Sequence, residues 1–179
     1  MVKNSNEFKS WLMSWFEQCL LRRAPQDDAL SYRALLWALF AYVVIDLVQA
    51  SMTSVWGVSL GMTVLDTVVL VVFTWLVLRV MGRSARFVQT LTAVAGTGAL
   101  LGLVAMPLVL QASRANQGDG QTGTLVLGWL VMLVWSITVQ ANIFRHALST
   151  RYGAGLLVAG LHTVLVIALL DYFFPRATG

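Results

Sequence analysis

Charge and cysteine are what this sequence has least of. Only 11% of its 179 residues are Asp, Glu, Lys or Arg, against about a quarter in ordinary soluble domains. Because 58% are hydrophobic as well, there is too little charge to cover a water-soluble fold. The one cysteine, Cys19, excludes an internal disulfide and belongs to no redox motif. No pair of His and carboxylate residues falls at helical metal-ligand spacing, so no metal is expected. Ser, His and Asp occur in no recognisable catalytic setting, so neither an enzyme nor a cofactor is expected. No repeat or low-complexity segment is visible. The first thirty residues also lack the continuous apolar core and small-residue cleavage pattern of a signal peptide, so the first span should act as its own insertion signal.

What the chain does have is five apolar blocks, near residues 34–52, 60–78, 87–110, 125–144 and 155–174. Each is long enough to cross a bilayer as a helix of about 20 residues. Ten of the twelve Lys and Arg residues fall on one side of that pattern. Lys3, Lys9, Arg22, Arg23 and Arg33 precede the first block. Arg79, Arg83 and Arg86 separate the second from the third, and Arg145 and Arg151 the fourth from the fifth. The opposite connections carry only Arg114 and Arg176. Loops rich in Lys and Arg stay cytoplasmic. The expected product is an all-α polytopic bundle in a bacterial inner membrane, with the N-terminus cytoplasmic and the C-terminus periplasmic. Residues 1–32 form a cytoplasmic segment and 33–179 the five-span domain. The formal charge of +4 is spread along one membrane face, which fits topology control or anionic headgroups and not nucleic acid.

Within the N-terminal segment, Phe8, Trp11, Leu12, Trp15, Phe16, Cys19 and Leu20 recur at helical period. Lys9, Ser10, Ser14, Glu17 and Gln18 take the other face. The composition is that of an interfacial amphipathic helix, with Phe8, Trp11, Trp15 and Phe16 in the membrane interface. The alternative is that the stripe packs on the protein's own spans or on a partner. Asn4 and Glu7 read as a capping pair, and Pro25 with Asp27 and Asp28 as the break that caps the next helix. Cys19 reads as a member of the stripe and not as an acylation site.

The polar residues inside the spans are the candidates for chemistry. Asp46 lies 13 residues beyond Arg33, and Asp66 lies 13 residues before Arg79. At 1.5 Å per residue both sit roughly 20 Å from the basic boundary. Their spans are sequential, so the two carboxylates are expected to be neighbours. A charged Asp at such depth costs on the order of 2.5–3.5 kcal/mol, and at least one of the pair should carry a proton near neutral pH. The functional reading is a proton or cation site of Asp46, Asp66, Gln49 and His162, with His162 bridging to a carboxylate. The structural alternative is Asp side chains held by Thr63, Thr67, Gln49 or water to fix helix register, and a histidine that only hydrogen-bonds across helices. Gly98 and Gly102 at small-xxx-small spacing, and Gly155 with Ala159, offer close helix packing. Gln140 and Asn142 read as polar glue.

The stretch from Leu20 to Asp27 (LLRRAPQD), ahead of the first span, and that from Phe144 to Leu148 (FRHAL), after the fourth, resemble bacterial proteins grouped with the Ypt-interacting-protein (Yip) family. That family shares the cytoplasmic N-terminal segment, the five spans and the outside C-terminus. The resemblance implies a non-enzymatic membrane scaffold, adaptor or assembly factor, partnered by the lipid bilayer and by another membrane protein or a second copy of the chain. The family's Asp-Leu-Tyr-Gly-Pro motif is absent, so no functional residue carries over. The competing function is a small proton- or cation-coupled transporter or channel, and what separates the two is whether Asp46 and Asp66 face a cavity. The charge pattern makes one prediction directly. A cysteine reporter in the loop around Gly118 is labelled from outside intact cells and one near Ser84 is not, and the reverse pattern would overturn the topology.

Overall fold

The structure, a computed structural model, describes residues 2–28, 30–115 and 123–175. Among them every regular element is helical: α1 (Val2–Cys19), α2 (Tyr32–Thr53), α3 (Trp56–Val80), α4 (Phe87–Ala115), α5 (Gly123–Leu148) and α6 (Tyr152–Phe173), with single 3-10 turns at Pro25–Asp27 and Ser84–Arg86. Five helices, α2 to α6, are long and apolar enough to cross a membrane, the architecture of a multi-pass membrane protein. At 1.5 Å per residue they run about 33 to 44 Å, more than the roughly 30 Å of bilayer hydrocarbon. Each helix therefore extends a few residues beyond its apolar block. The loop expected over 111–124 is helical up to Ala115 and again from Gly123, and its centre, with Gly118, lies outside the described residues.

The ends of the helices follow local chemistry. Ser31 caps α2, its Oγ accepting from the Ala34 N–H at 3.2 Å. Asp28 is not that cap, and α1 begins at Val2, so Asn4 lies inside the helix instead of capping it. At the basic end, α1, α3 and α5 stop alike, on a left-handed residue whose successor's N–H returns to a carbonyl five residues back: Arg22 to Glu17, Arg83 to Leu78, and Thr150 to Arg145. Gly82 supplies the left-handed conformation for α3 without strain, whereas Leu21 (φ 61°) and Ser149 (φ 55°) adopt it with a Cβ. Arg86 ties the α3–α4 turn to the end of α5, its Nη1 donating to the carbonyls of His146 and Ala147, both at 3.0 Å.

The spanning helices close side by side in the order α2, α3, α6, α5, α4 and back to α2. Half of the most apolar stretch of α4 is buried, against 6% of that of α2, because α4 is packed by α1, α2, α3 and α5. Its small residues let those neighbours approach. A Cβ on Gly96 would fall 2.5 Å from the Trp15 indole, one on Gly98 2.7 Å from the Tyr42 ring, and one on Gly102 2.9 Å from Ile45. The core at the basic end is apolar, with Leu70, Phe73, Leu91, Val139, Ile143 and Phe144 all buried.

α1 lies against α4 and α5 with part of its stripe, Trp11, Leu12, Trp15 and Cys19, turned so that two polar neighbours are buried with it. Trp15 (3% exposed), Cys19, Ser14 and Gln18 are buried, while Phe8, Phe16 and Leu20 are exposed. Trp15 is therefore packed into the bundle beside Gly96 and is not among the residues available to a membrane interface. Ser14 and Gln18, expected on the solvated face, turn inward because Asp28 gives them a partner. Ser14 Oγ and Gln18 Nε2 both donate to its carboxylate. Arg23 bridges Glu17 at 3.2 Å and Asp28 at 2.8 Å, and Gln89 on α4 donates to the Asp28 carbonyl at 2.8 Å. Burial pushes the Cys19 thiol up to about 11, so it is a poor nucleophile for acylation or labelling.

The tightest helix contact is between α5 and α6, where a Cβ on Gly155 would lie 2.3 Å from the Ala141 carbonyl oxygen and 2.9 Å from the Arg145 nitrogen. Gly155→Ala must force two backbones apart and is expected to cost about 1–3 kcal/mol. Gly160→Ala, with nothing within 4 Å, should raise stability by up to about 1 kcal/mol through helix propensity. Thermal unfolding in mild detergent checks both.

Candidate functional site

Four polar side chains of α2 and α3 converge in the middle of the bundle. Tyr42, Asp46 and Gln49 recur at i, i+4 and i+7, so one face of α2 presents all three. Each is only partly exposed. The hydroxyl of Tyr42 donates to the Asp66 carboxylate of α3. Gln49 Nε2 donates to the Gly102 carbonyl of α4 at 2.7 Å. Gly98 and Gly102 are what make these bonds geometrically possible, since any side chain there would fill the space taken by the Tyr42 ring, Ile45 and Gln49.

Two cavities meet at this cluster. The larger, about 600 Å³, is lined by Asp46, Gln49, Asp66, Trp129 and Asp171 together with helix-end residues such as Thr53, Ser54 and Phe174. It thus reaches the end of the bundle opposite the basic loops. The smaller, about 280 Å³, has Tyr42, Asp46, Gln49, Trp129, Ser136, Gln140 and His162 in its wall. Asp46, Gln49 and Trp129 belong to both walls, so the two cavities, a vestibule and a chamber, adjoin at these residues. Beyond the chamber toward the basic end the bundle is filled by Phe73, Leu91, Ile143 and Phe144, with Phe73 and Phe144 in edge contact at 6.2 Å between centroids.

Asp46 and Asp66 line the same vestibule. His162 bridges to neither, because α6 packs on α5 and α3 and not beside α2. Its Nδ1 lies 3.1 Å from Gln140 Oε1, a cross-helix bond, and its ring is against Phe73, 5.0 Å between centroids. It joins Asp46 only through the chamber they share. Thr63 lies beside Asp46. Three lining groups were not anticipated as parts of a site. Tyr42 had a legible signal, one turn before Asp46 on the same face. Asp171 lies more than 100 residues from the other carboxylates, and no polar neighbour in sequence marks Trp129. Among the described residues there is no group of three or more His, Cys, Asp or Glu that could hold a metal ion.

The cavity places Asp46 and Asp66 within reach of one end of the bundle. Buried carboxylates in a low-dielectric bundle need partners, and Asp66 has Tyr42. Tyr42→Phe should therefore lower stability by about 1–3 kcal/mol by leaving an acceptor unmatched; an unchanged melting temperature would show that water replaces the hydroxyl. The chain matches no family model, no curated protein and no solved structure.

Proposed function

We propose that this chain is a small proton- or cation-coupled carrier of the membrane, working through Asp46 and Asp66. The observation that supports this reading is that two carboxylates on adjacent spanning helices line one cavity that reaches an end of the bundle. A pair serving only helix register needs no such access. The apolar block around Phe73 and Phe144 separates the cavity from the basic end, which suits a carrier that exposes its site to one side at a time. An open channel would need a continuous path. The scaffold role implied by the Yip resemblance has no comparable site behind it.

In this reading the basic end faces the cytoplasm of a bacterium, in accord with the distribution of Lys and Arg, and the vestibule faces the periplasm. The exposed apolar side chains of α1, Phe8, Met13, Phe16 and Leu20, then meet lipid at the cytoplasmic surface, with Trp15 holding the helix to α4.

The test is flux in liposomes. Purified protein is reconstituted, a proton, sodium or potassium gradient is imposed, and internal pH or cation content is followed. Wild type is expected to dissipate at least one gradient above empty liposomes, and Asp46→Asn and Asp66→Asn to abolish that flux while eluting as folded protein. Equal flux from wild type and both variants would remove the carboxylates from the mechanism. No flux from wild type under any of the gradients would end the transport reading.

A further inference from the structure

Among the described residues α1 is the one long helix not apolar enough to cross a membrane, and its attachments straddle the seam between α4 and α5. On the α4 side the Trp15 indole occupies the space beside Gly96, and Cys19 Sγ lies 3.9 Å from the Thr97 carbonyl oxygen. On the α5 side the Trp135 indole N–H donates to the Cys19 carbonyl at 3.1 Å. Thr97, and Ser136 next to Trp135, both line the chamber. The C-terminal turn of α1 therefore lies over the seam where α4 and α5 form the chamber wall. A route from the chamber to the basic side that avoids the apolar core of Phe73 and Phe144 passes under this turn.

The docking of α1 is also a compromise. Trp11, Leu12, Trp15 and Cys19 pack on the core, while Phe8, Phe16 and Leu20 of the same stripe stay exposed. Gln18 is 1% exposed, and its Oε1 has no hydrogen-bond partner. What holds the polar pair in place is Asp28, which accepts from Ser14 and Gln18 and is bridged by Arg23. Laid on the membrane surface instead, the helix would put its whole stripe in the interface and return Ser14 and Gln18 to water. Two surfaces thus compete for one apolar stripe, as a two-state element requires.

We infer that α1 is a gate: lifting its C-terminal turn from Gly96 and Thr97 uncovers the α4–α5 seam and connects the chamber with the basic side. The inference rests on the carrier reading above and supplies the second opening that a carrier requires, since the vestibule reaches only the opposite end.

Cys19, the only cysteine in the sequence, reports the gate without any substitution. It is 6% exposed with α1 docked, and burial pushes its thiol up to about 11, so N-ethylmaleimide should label it slowly in proteoliposomes at rest. Imposing the gradient that drives flux is expected to speed labelling about threefold or more. Gly96→Ala, whose Cβ would fall 2.5 Å from the Trp15 ring, should speed it about tenfold with no gradient. A second measurement locks the gate. In a Cys19→Ala background, Trp15→Cys and Gly96→Cys are combined; Trp15 Cγ lies 2.7 Å from the Cβ position at Gly96, so the two Cβ atoms come within disulfide reach. Oxidation is expected to cut flux about tenfold or more relative to the same protein after reduction. Equal flux from the oxidised and reduced forms, with the bond confirmed by mass, overturns the gate and leaves the carrier standing. Cys19 labelling left unchanged by the gradient or by Gly96→Ala does the same. No flux from wild type under any gradient removes the carrier and the gate together.

Discussion

The close approach of other elements to the small-residue face of α4 is the constraint on which the rest of the molecule depends. Gly96, Gly98 and Gly102 leave room for the Trp15 indole, the Tyr42 ring and the Ile45 and Gln49 side chains. Each of those contacts does more than pack. Trp15 fastens α1 to the bundle, Tyr42 is held where its hydroxyl reaches Asp66, and Gln49 is near enough to bond the Gly102 carbonyl. In a membrane there is no hydrophobic gain from pressing two apolar helices together, so van der Waals contact at short range and interhelical hydrogen bonds must supply the cohesion. Side chains on this face of α4 would remove both at once.

The same packing separates the bundle into two unlike halves. Toward the basic end, Phe73, Leu91, Ile143 and Phe144 are buried in an apolar core. Toward the other end, short side chains and polar residues leave the vestibule and chamber that adjoin at Asp46, Gln49 and Trp129. Polar side chains inside a membrane bundle are expensive unless they are satisfied; here Thr90, Thr92 and Thr97 bond carbonyls of their own helix or the turn before it, while Tyr42, Gln49 and His162 bond a neighbouring one. Asp46 and Asp66 are the carboxylates that line the vestibule beside the exposed Asp171. Their position is what turns a packing arrangement into a candidate binding site.

The N-terminal segment shows how a correct periodicity gives only part of a buried face. The apolar stripe of α1 is real in the sequence, yet Ser14 and Gln18 are buried and Phe16 is exposed. Periodicity weighs each side chain alone, whereas Asp28, supplied by the returning chain and steadied by Arg23 and Gln89, makes two polar residues better occupants of the interface than a phenylalanine. A small polar side chain with a charged acceptor in place loses less on burial than an unpartnered one.

The sequence by itself determined the number of apolar helices and their approximate limits, because these follow from length and composition, which are local quantities. Which helices are neighbours was decided only by tertiary structure. His162 meets Gln140 and not a carboxylate because α6 lies between α3 and α5. Tyr42 serves Asp66 because α3 packs on α2, and Asp171 joins a vestibule whose other carboxylates lie more than a hundred residues earlier. Ring order depends on the summed fit of whole helix faces, the α4 glycines above all, and no single stretch of sequence carries that sum.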